Sequence, residues 1–304
     1  MSNATGIEKR GRRHLSERTL VNLFIWPTLI LLILMNIFPL FYSVYLSFTT
    51  YSVIGNKLPV WAGFENFRYL LENEQVWSYF AVTGRYALTS VLLQTIIGFA
   101  LAMLIREKFK GSGIITTLIL IPMMLSPVVV GLFWKLMFNP GYGIFNYLIA
   151  WTGIPLTTDW LAKGGLSLWA IVIVDVWMWT PFVMLLVMSG LSAIPDYLYE
   201  AAAIDRASPW FQFWHITLPQ VSPLVLIAVL FRSIEAFKSF DLVMGLTGGG
   251  PGAATRVVSV DIYTRAFLGQ FKTGQASALA VIVLVVIISV SNLYITALNK
   301  AKES

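Results

Sequence analysis

Five ionisable side chains occur inside two of the most apolar stretches of the sequence, at Asp175, Arg232, Glu235, Lys238 and Asp241. Charged groups at membrane depth are costly, and they usually face a water-filled pathway or pair with one another. Carboxylates and a guanidinium group in such a place can exchange hydrogen bonds with a polar solute. The residue types therefore indicate a polar path across a membrane, and they do not form the constellation of a catalytic site.

The residues of the second stretch, from 232 to 241, would lie on two different faces of one helix. At about 100° per residue, Arg232, Glu235 and Ser239 share one face, and Asp241 points nearly opposite. Two interpretations stay open. The shared face lines the path, or Arg232 and Glu235 form an ion pair at i and i+3 that only holds helices together.

The composition predicts an all-α integral membrane protein. Of the 304 residues, 57% are apolar and 12% are charged, and a helix of about 20 apolar residues spans the hydrocarbon core of a bilayer. Backbone groups in lipid must pair internally, so the spans must be helices. Pro27 and Pro39 are expected to bend the first span. Six spans are predicted, at residues 23–48, 82–105, 114–138, 166–190, 221–243 and 277–298.

The basic residues predict the orientation of these spans. Eleven Lys and Arg residues lie on the side of the two termini, the 106–110 connection and the 191–220 loop, against six in the opposite loops. The richer side is cytoplasmic by the positive-inside rule. Residues 1–22 and 299–304 are then cytoplasmic tails around a six-span domain at 23–298. The net charge of +6 thus points to a lipid bilayer as partner and not to a nucleic acid.

Several other classes of site are not supported. The sequence has no cysteine, which excludes disulfides and thiolate chemistry. His14 and His215 have no acidic or Cys companions at metal-ligand spacing, so we predict no metal site. The glycine run at 248–250 is not followed by the Lys-Ser or Lys-Thr of a phosphate-binding loop. We therefore expect no nucleotide hydrolysis and no cofactor in this chain.

The cytoplasmic loop at 191–220 is predicted to contain two short helices. Asp196 is expected to cap the first, which presents an amphipathic face made by Tyr197, Glu200, Ala201 and Ile204. Ser208 and Pro209 predict the start of the second. The chain is then expected to turn into the fifth span at residues 217–219. Such a segment either docks on a partner protein or lies in the headgroup layer.

This loop resembles the EAA signature of permease subunits of bacterial ABC importers. The matching residues are Glu200, Ala201, Ala202, Ala203, Asp205, Ala207, Ile216, Leu218 and Pro219. Residues 231–241, 246–252 and 274–278 resemble the carbohydrate branch of that family, the maltose-type and trehalose-type permeases. Arg206 stands where the family usually has glycine. Arg206 then adopts either a less strained turn or a left-handed one, at a cost of about 1 kcal/mol.

The resemblance implies the type I importer fold, in the cytoplasmic (inner) membrane of a bacterium. It implies a second permease subunit, two ATPase subunits that bind ATP and Mg, and an extracytoplasmic solute-binding protein that delivers a sugar or glycoside. The 191–220 loop would be the coupling element seated in the ATPase. The residues expected to contact the ATPase are Glu200, Ala201, Ala202, Ala203, Asp205, Arg206 and Ala207.

For the sugar path we select residues from the fourth and fifth spans. Trp177 and Trp179 flank Asp175, and a flat indole can cover the apolar face of a sugar ring while a carboxylate accepts its hydroxyls. The predicted path residues are Asp175, Trp177, Arg232, Glu235 and Ser239. The alternatives are a glycerol-phosphate-type substrate in the same importer class, an ion-driven secondary carrier, or a membrane enzyme. Secondary carriers often show internal repeats, which this sequence lacks.

Overall fold

The computed structural model describes residues 16–54, 58–107 and 109–303, and in these ranges helices joined by turns and loops make up the fold, with one isolated bridge between Thr49 and Trp61. Residues 1–15 of the predicted N-terminal tail lie outside the described residues, as do Lys57 and Lys108. The helices are α1 (Glu17–Leu32), α2 (Phe38–Ser47), α3 (Glu65–Glu72), α4 (Glu74–Arg106), α5 (Ser112–Leu120), α6 (Pro127–Met137), α7 (Ile144–Ile149), α8 (Gly164–Ser192), α9 (Asp196–Ile204), α10 (Pro209–Gln212), α11 (Leu218–Phe237), α12 (Asp241–Leu246), α13 (Val258–Phe267) and α14 (Thr273–Glu303).

Five helical segments are long and apolar enough to cross a membrane, and each overlaps one of the six predicted spans. The first segment, Val21–Ser47, continues through Pro27 without a break and joins α1 to α2 through a π-helical turn at Ile33–Ile37, just before Pro39. These segments are Val21–Ser47, Glu74–Arg106, Gly164–Ser192, Pro209–Phe237 and Thr273–Thr296. None of the most apolar stretch of the first segment is buried, so lipid or another protein must cover it.

The third predicted span is not one continuous helix but a bent pair of helices that together are long and apolar enough to cross a membrane. Its two parts, Ser112–Met124 and Pro127–Met137, meet at a bend of 100°. Ser126 is extended, with ψ of 131°, because the ring of Pro127 disfavours helical backbone in the residue before it. The bend leaves α6 free to pack on α12.

The fifth predicted span is wrong at both ends. Instead of turning at residues 217–219, the chain continues as one helix from Pro209 to Phe237 through a π-helical turn at Phe213–Thr217. That turn precedes Pro219, which has no N–H to donate, and the wider π spacing accommodates it. At the other end α11 stops at Phe237, and α12 begins separately at Asp241.

The break after Phe237 follows from tertiary packing. Gly131 of α6 and Gly245 of α12 lie against each other so closely that a Cβ on Gly131 would stand 3.1 Å from the Leu242 carbonyl oxygen. Two helices can approach to that distance only through small residues. The close contact holds α12 in its own direction, apart from the axis of α11.

Two clusters of the core form where α4, α8 and α11 pack together, and a third lies where α4 packs with α13 and α14. The first cluster surrounds the middle of α8 and includes Tyr86, Ile171 and Met178. The second lies toward the α9 end, with Ala102, Val183 and Val221 among its members.

Candidate functional site

Asp175, Gln94 and Arg232 form a closed hydrogen-bonded triangle in the middle of the helix bundle. Arg232 Nη2 lies 3.3 Å from Asp175 Oδ2, and Arg232 Nε donates to Gln94 Oε1 at 2.9 Å. Gln94 Nε2 closes the triangle by donating to Asp175 Oδ2 at 2.8 Å. All three residues are at most 3% exposed. Each comes from a different helix, so this triangle, called here the charge network, joins α4, α8 and α11.

Arg232 and Glu235 do not form the ion pair that was one of the two interpretations of their spacing. Arg232 faces inward to Asp175, while Glu235 contacts Lys238 at 2.9 Å near the surface. The buried guanidinium takes the partner that is also buried, because an uncompensated charge in a desolvated place is costly. Half-exposed Glu235 and Lys238 gain little from their contact.

A cavity of about 190 Å³ lies beside the charge network. Four of the five predicted path residues line it, and the one that does not is Trp177. The lining residues are Pro127, Asp175, Trp179, Arg232, Glu235, Lys238, Ser239, Phe240, Asp241 and Leu242. The structure thus brings together polar side chains from α8, from α11 and from the segment after it.

Trp179, and not Trp177, is the tryptophan of this cavity. The guanidinium carbon of Arg232 stands 4.6 Å from the centre of the Trp179 ring, a cation–π contact. Trp177 packs edge-on against Trp134 at 5.5 Å, next to a large apolar groove on the other side of α8. Residues four apart share a helix face and residues two apart do not. The i+4 spacing from Asp175 to Trp179 was therefore the signal that could have identified the residue.

The placement of Asp241 opposite to Glu235 and Ser239 is also wrong. That placement assumed an unbroken helix, but α11 ends at Phe237, so the rotation per residue no longer applies. Asp241 begins α12 and lines the same cavity as Glu235 and Ser239.

Ser239 is held in the break between α11 and α12 by two hydroxyl groups. Tyr86 of α4 donates to Ser239 Oγ at 3.2 Å, and the hydroxyl of Ser259 donates to the Ser239 carbonyl. Neither Gln94 nor Tyr86 was selected from the sequence, because a single polar residue in an amphipathic span carries no sign of its partner.

The predicted cytoplasmic helix is present as α9, with one change at its start. Pro195 is extended and occupies the cap position, so Asp196 is already the first helical residue, and its side chain makes no capping bond. The predicted face is exposed at Tyr197, Glu200, Ala201 and Ile204. Ala203, Asp205 and Arg206 are exposed as well, whereas Ala202 is only 8% exposed and packs against the rest of the chain.

Arg206 adopts the left-handed of the two turns considered for it, with φ of 53°. The Ala207 N–H donates to the Ala202 carbonyl at 2.8 Å, and the Arg206 N–H donates to the Ala203 carbonyl at 3.1 Å. This pair of hydrogen bonds forms a Schellman motif, which satisfies carbonyls at the end of a helix. Those bonds offset the cost of about 1 kcal/mol for a side chain in this conformation.

The second short helix of the 191–220 loop begins as predicted. Ser208 caps α10 by accepting from the Phe211 N–H at 3.2 Å, and Pro209 takes the first helical position. A cleft of about 550 Å³ separates α9 from α10. Its walls include four residues of the predicted coupling set, Ala201, Ala202, Asp205 and Ala207. A small-residue helix beside an open cleft is a surface that another protein can approach closely.

The described part of the chain contains no group of three His, Cys, Asp or Glu side chains that could hold a metal ion. Two groups of polar side chains are the candidate sites. One is the charge network with its cavity, between the long apolar helices α4, α8 and α11. The other is the exposed face of α9 with the α9–α10 cleft, at the end of the bundle where α8 ends and α10 begins.

The chain is similar to known transport proteins. Residues 94–303 match the family model described as the binding-protein-dependent transport system inner membrane component. The trehalose/maltose transport system permease protein MalF of Thermococcus litoralis is 35% identical over 279 residues, which cover 92% of this chain and 93% of that protein. The trehalose transport system permease protein SugA of Mycobacterium tuberculosis is 31% identical over 280 residues, covering 92% and 89%.

The fold is similar to that of a solved membrane subunit. A chain of a bacterial ABC transporter involved in the import of the acidic polysaccharide alginate superposes with a TM-score of 0.79 at 20% identity, covering 92% of this chain and 95% of that chain. The family match includes α9, α11 and the charge network. This chain belongs to the family of inner membrane components of binding-protein-dependent transport systems.

Proposed function

We propose that this chain is a permease subunit of an ATP-driven importer that moves a sugar or glycoside from a solute-binding protein into the cytoplasm. The observation that carries the proposal is similarity over nine-tenths of the chain to permeases that are named for trehalose and maltose transport. The charge network supplies a physical reason, because buried charges next to a cavity at membrane depth suit a path for a polar solute.

The charges of the cavity favour a neutral solute over a glycerol-phosphate-type one. Among the described residues that line it, both cations already contact carboxylates, Arg232 with Asp175 and Lys238 with Glu235. Asp241 adds a further negative charge. A phosphate group would have to displace an existing ion pair, whereas sugar hydroxyls can bond to carboxylates and Trp179 can cover an apolar ring face.

The partners in this proposal are a second permease subunit, two ATPase subunits and an extracytoplasmic binding protein. The exposed face of α9 docks on one ATPase, which supplies the ATP and Mg site. Ala201 and Ala203 permit close approach, and Glu200 accepts from a basic residue of the partner. The α9 side and both termini are cytoplasmic in this orientation, as the distribution of basic residues indicates.

The proposal is tested with the purified complex reconstituted in lipid vesicles. Neutral disaccharides with their binding protein should stimulate ATP hydrolysis and enter the vesicles, whereas the complex without binding protein should hydrolyse ATP slowly. Glycerol phosphate serves as the competing substrate. ATP hydrolysis that no solute and binding protein stimulate would contradict the proposal, and so would solute uptake driven by an ion gradient alone.

A further inference from the structure

Tyr199 lies on the inward face of α9 and contacts two membrane helices at once. Its ring lies under the guanidinium group of Arg106, with 4.4 Å between Arg106 Cζ and the ring centre. Its hydroxyl shares a hydrogen bond of 2.9 Å with Thr217 Oγ1. Arg106 is the last residue of α4, and Thr217 immediately precedes α11. One side chain therefore joins the cytoplasmic helix to the ends of α4 and α11.

The same two helices carry the charge network at their middles. Gln94 lies on α4 about three turns before Arg106, and Arg232 lies on α11 about four turns after Thr217. At about 1.5 Å per residue, these distances are roughly 18 and 22 Å along the helices. Gln94 and Arg232 are themselves bonded at 2.9 Å. A displacement of α9 thus reaches both sides of the network through rigid helices.

The contacts of Tyr199 are well placed to transmit force. Thr217 is 2% exposed, so water does not compete for its hydroxyl. Leu198, Tyr199 and Ile216 pack against the core at the α9 end of the bundle. The neighbouring Glu200 and Ala201 face outward, where a partner can reach them. Inward and outward faces of α9 therefore have separate tasks.

We infer that Tyr199 is the positioning residue that couples the docking helix α9 to α4 and α11, so that movement of the ATPase opens or closes the bundle at the charge network. This inference rests on the proposed function. Tyr199 touches neither solute nor nucleotide in this role. It acts by making α9, Arg106 and Thr217 move as one body.

The test uses Tyr199→Phe, which keeps the ring under Arg106 and removes only the hydrogen bond to Thr217. The reconstituted complex is assayed for ATPase co-purification, for binding-protein-stimulated ATP hydrolysis and for sugar taken up per ATP hydrolysed. We expect normal assembly, hydrolysis within about twofold of wild type, and a roughly two- to tenfold fall in uptake per ATP, the factor that one hydrogen bond contributes. Thr217→Val should give the same fall, and the double variant should be no worse than either single one.

Tyr42→Phe is the matched control, because Tyr42 is exposed on α2, far along the chain from this cluster. It should leave uptake per ATP unchanged. An unchanged ratio for Tyr199→Phe would overturn the coupling role while leaving the proposed function intact, and so would a loss of assembly that lowers hydrolysis and uptake in proportion. A wild-type complex whose ATP hydrolysis the binding protein does not stimulate would overturn the proposed function and, with it, the coupling role.

Discussion

Arg232 and Asp175 are 57 residues apart in the sequence, yet Arg232 Nη2 and Asp175 Oδ2 lie 3.3 Å apart with both side chains 3% exposed. Their contact, with Gln94 as third member, ties α11 to α8 and α4 at one point of the core. A buried pair of this kind adds little net stability when both members are present, but the loss of one member leaves a charge without compensation.

Asp175→Leu should therefore destabilise the protein by about 3–5 kcal/mol, the usual cost of breaking a buried pair. Adding Arg232→Met should recover most of the loss, because the double variant leaves no buried charge. Thermal unfolding of the purified complex measures both effects. Glu72→Gln breaks the exposed pair with Arg68 and should leave the unfolding midpoint unchanged. A double variant as unstable as the sum of the two single ones would contradict the pairing.

Introduced cysteines should report which side chains face water, since the chain has no native thiol. Glu235→Cys and Asp241→Cys should react with a water-soluble thiol reagent, because both residues are exposed and line the cavity. Ala236→Cys is the matched control, buried on α11 next to Glu235, and it should not react. Labelling at 235 without labelling at 241 would mean that α11 and α12 do not share this cavity.

The spans could be predicted from the sequence where a local property determines them. Runs of about 20 apolar residues located five spans, and Ser208 with Pro209 located the start of α10. The break in the third span also had a local sign, the extended backbone that precedes Pro127. The end of α11 had no such local sign, because the direction of α12 depends on the contact of Gly245 with Gly131, more than 100 residues away in the chain.

The candidate site was predictable in its residue types but not in its pairing. Intramembrane charge indicated Asp175 and Arg232, whereas the partner of each depends on how α8 and α11 are rotated against α4. Helical spacing offered Glu235 as the partner of Arg232 because it considers a single helix. The structure replaces that local pair with a contact across helices.

The two faces of α9 should respond differently to a bulky substitution. Ala203 is exposed, so Ala203→Trp should prevent the ATPase from seating and abolish its co-purification while the permease folds normally. Ala202 is buried in the chain itself, so Ala202→Trp should overpack that contact and cost about 1–3 kcal/mol of stability. Pull-down of the ATPase and thermal unfolding separate the two effects. Normal pull-down with Ala203→Trp would count against docking through this face.

Trp179 and Trp177 offer a comparison within one helix between the cavity and its outer side. Trp179→Leu removes the ring that faces Arg232 and lines the cavity. Sugar uptake should fall roughly tenfold if that ring covers about two CH groups of the sugar, at about 0.8 kcal/mol for each. The affinity of the binding protein for sugar should not change, since that protein is a separate chain. Trp177→Leu removes a contact with Trp134 and should lower the yield of complex more than the uptake per complex. The opposite result would be uptake per complex that is unchanged by Trp179→Leu and lowered by Trp177→Leu. It would make Trp177, the residue selected from the sequence, the path residue, and it would place the path on the other side of α8.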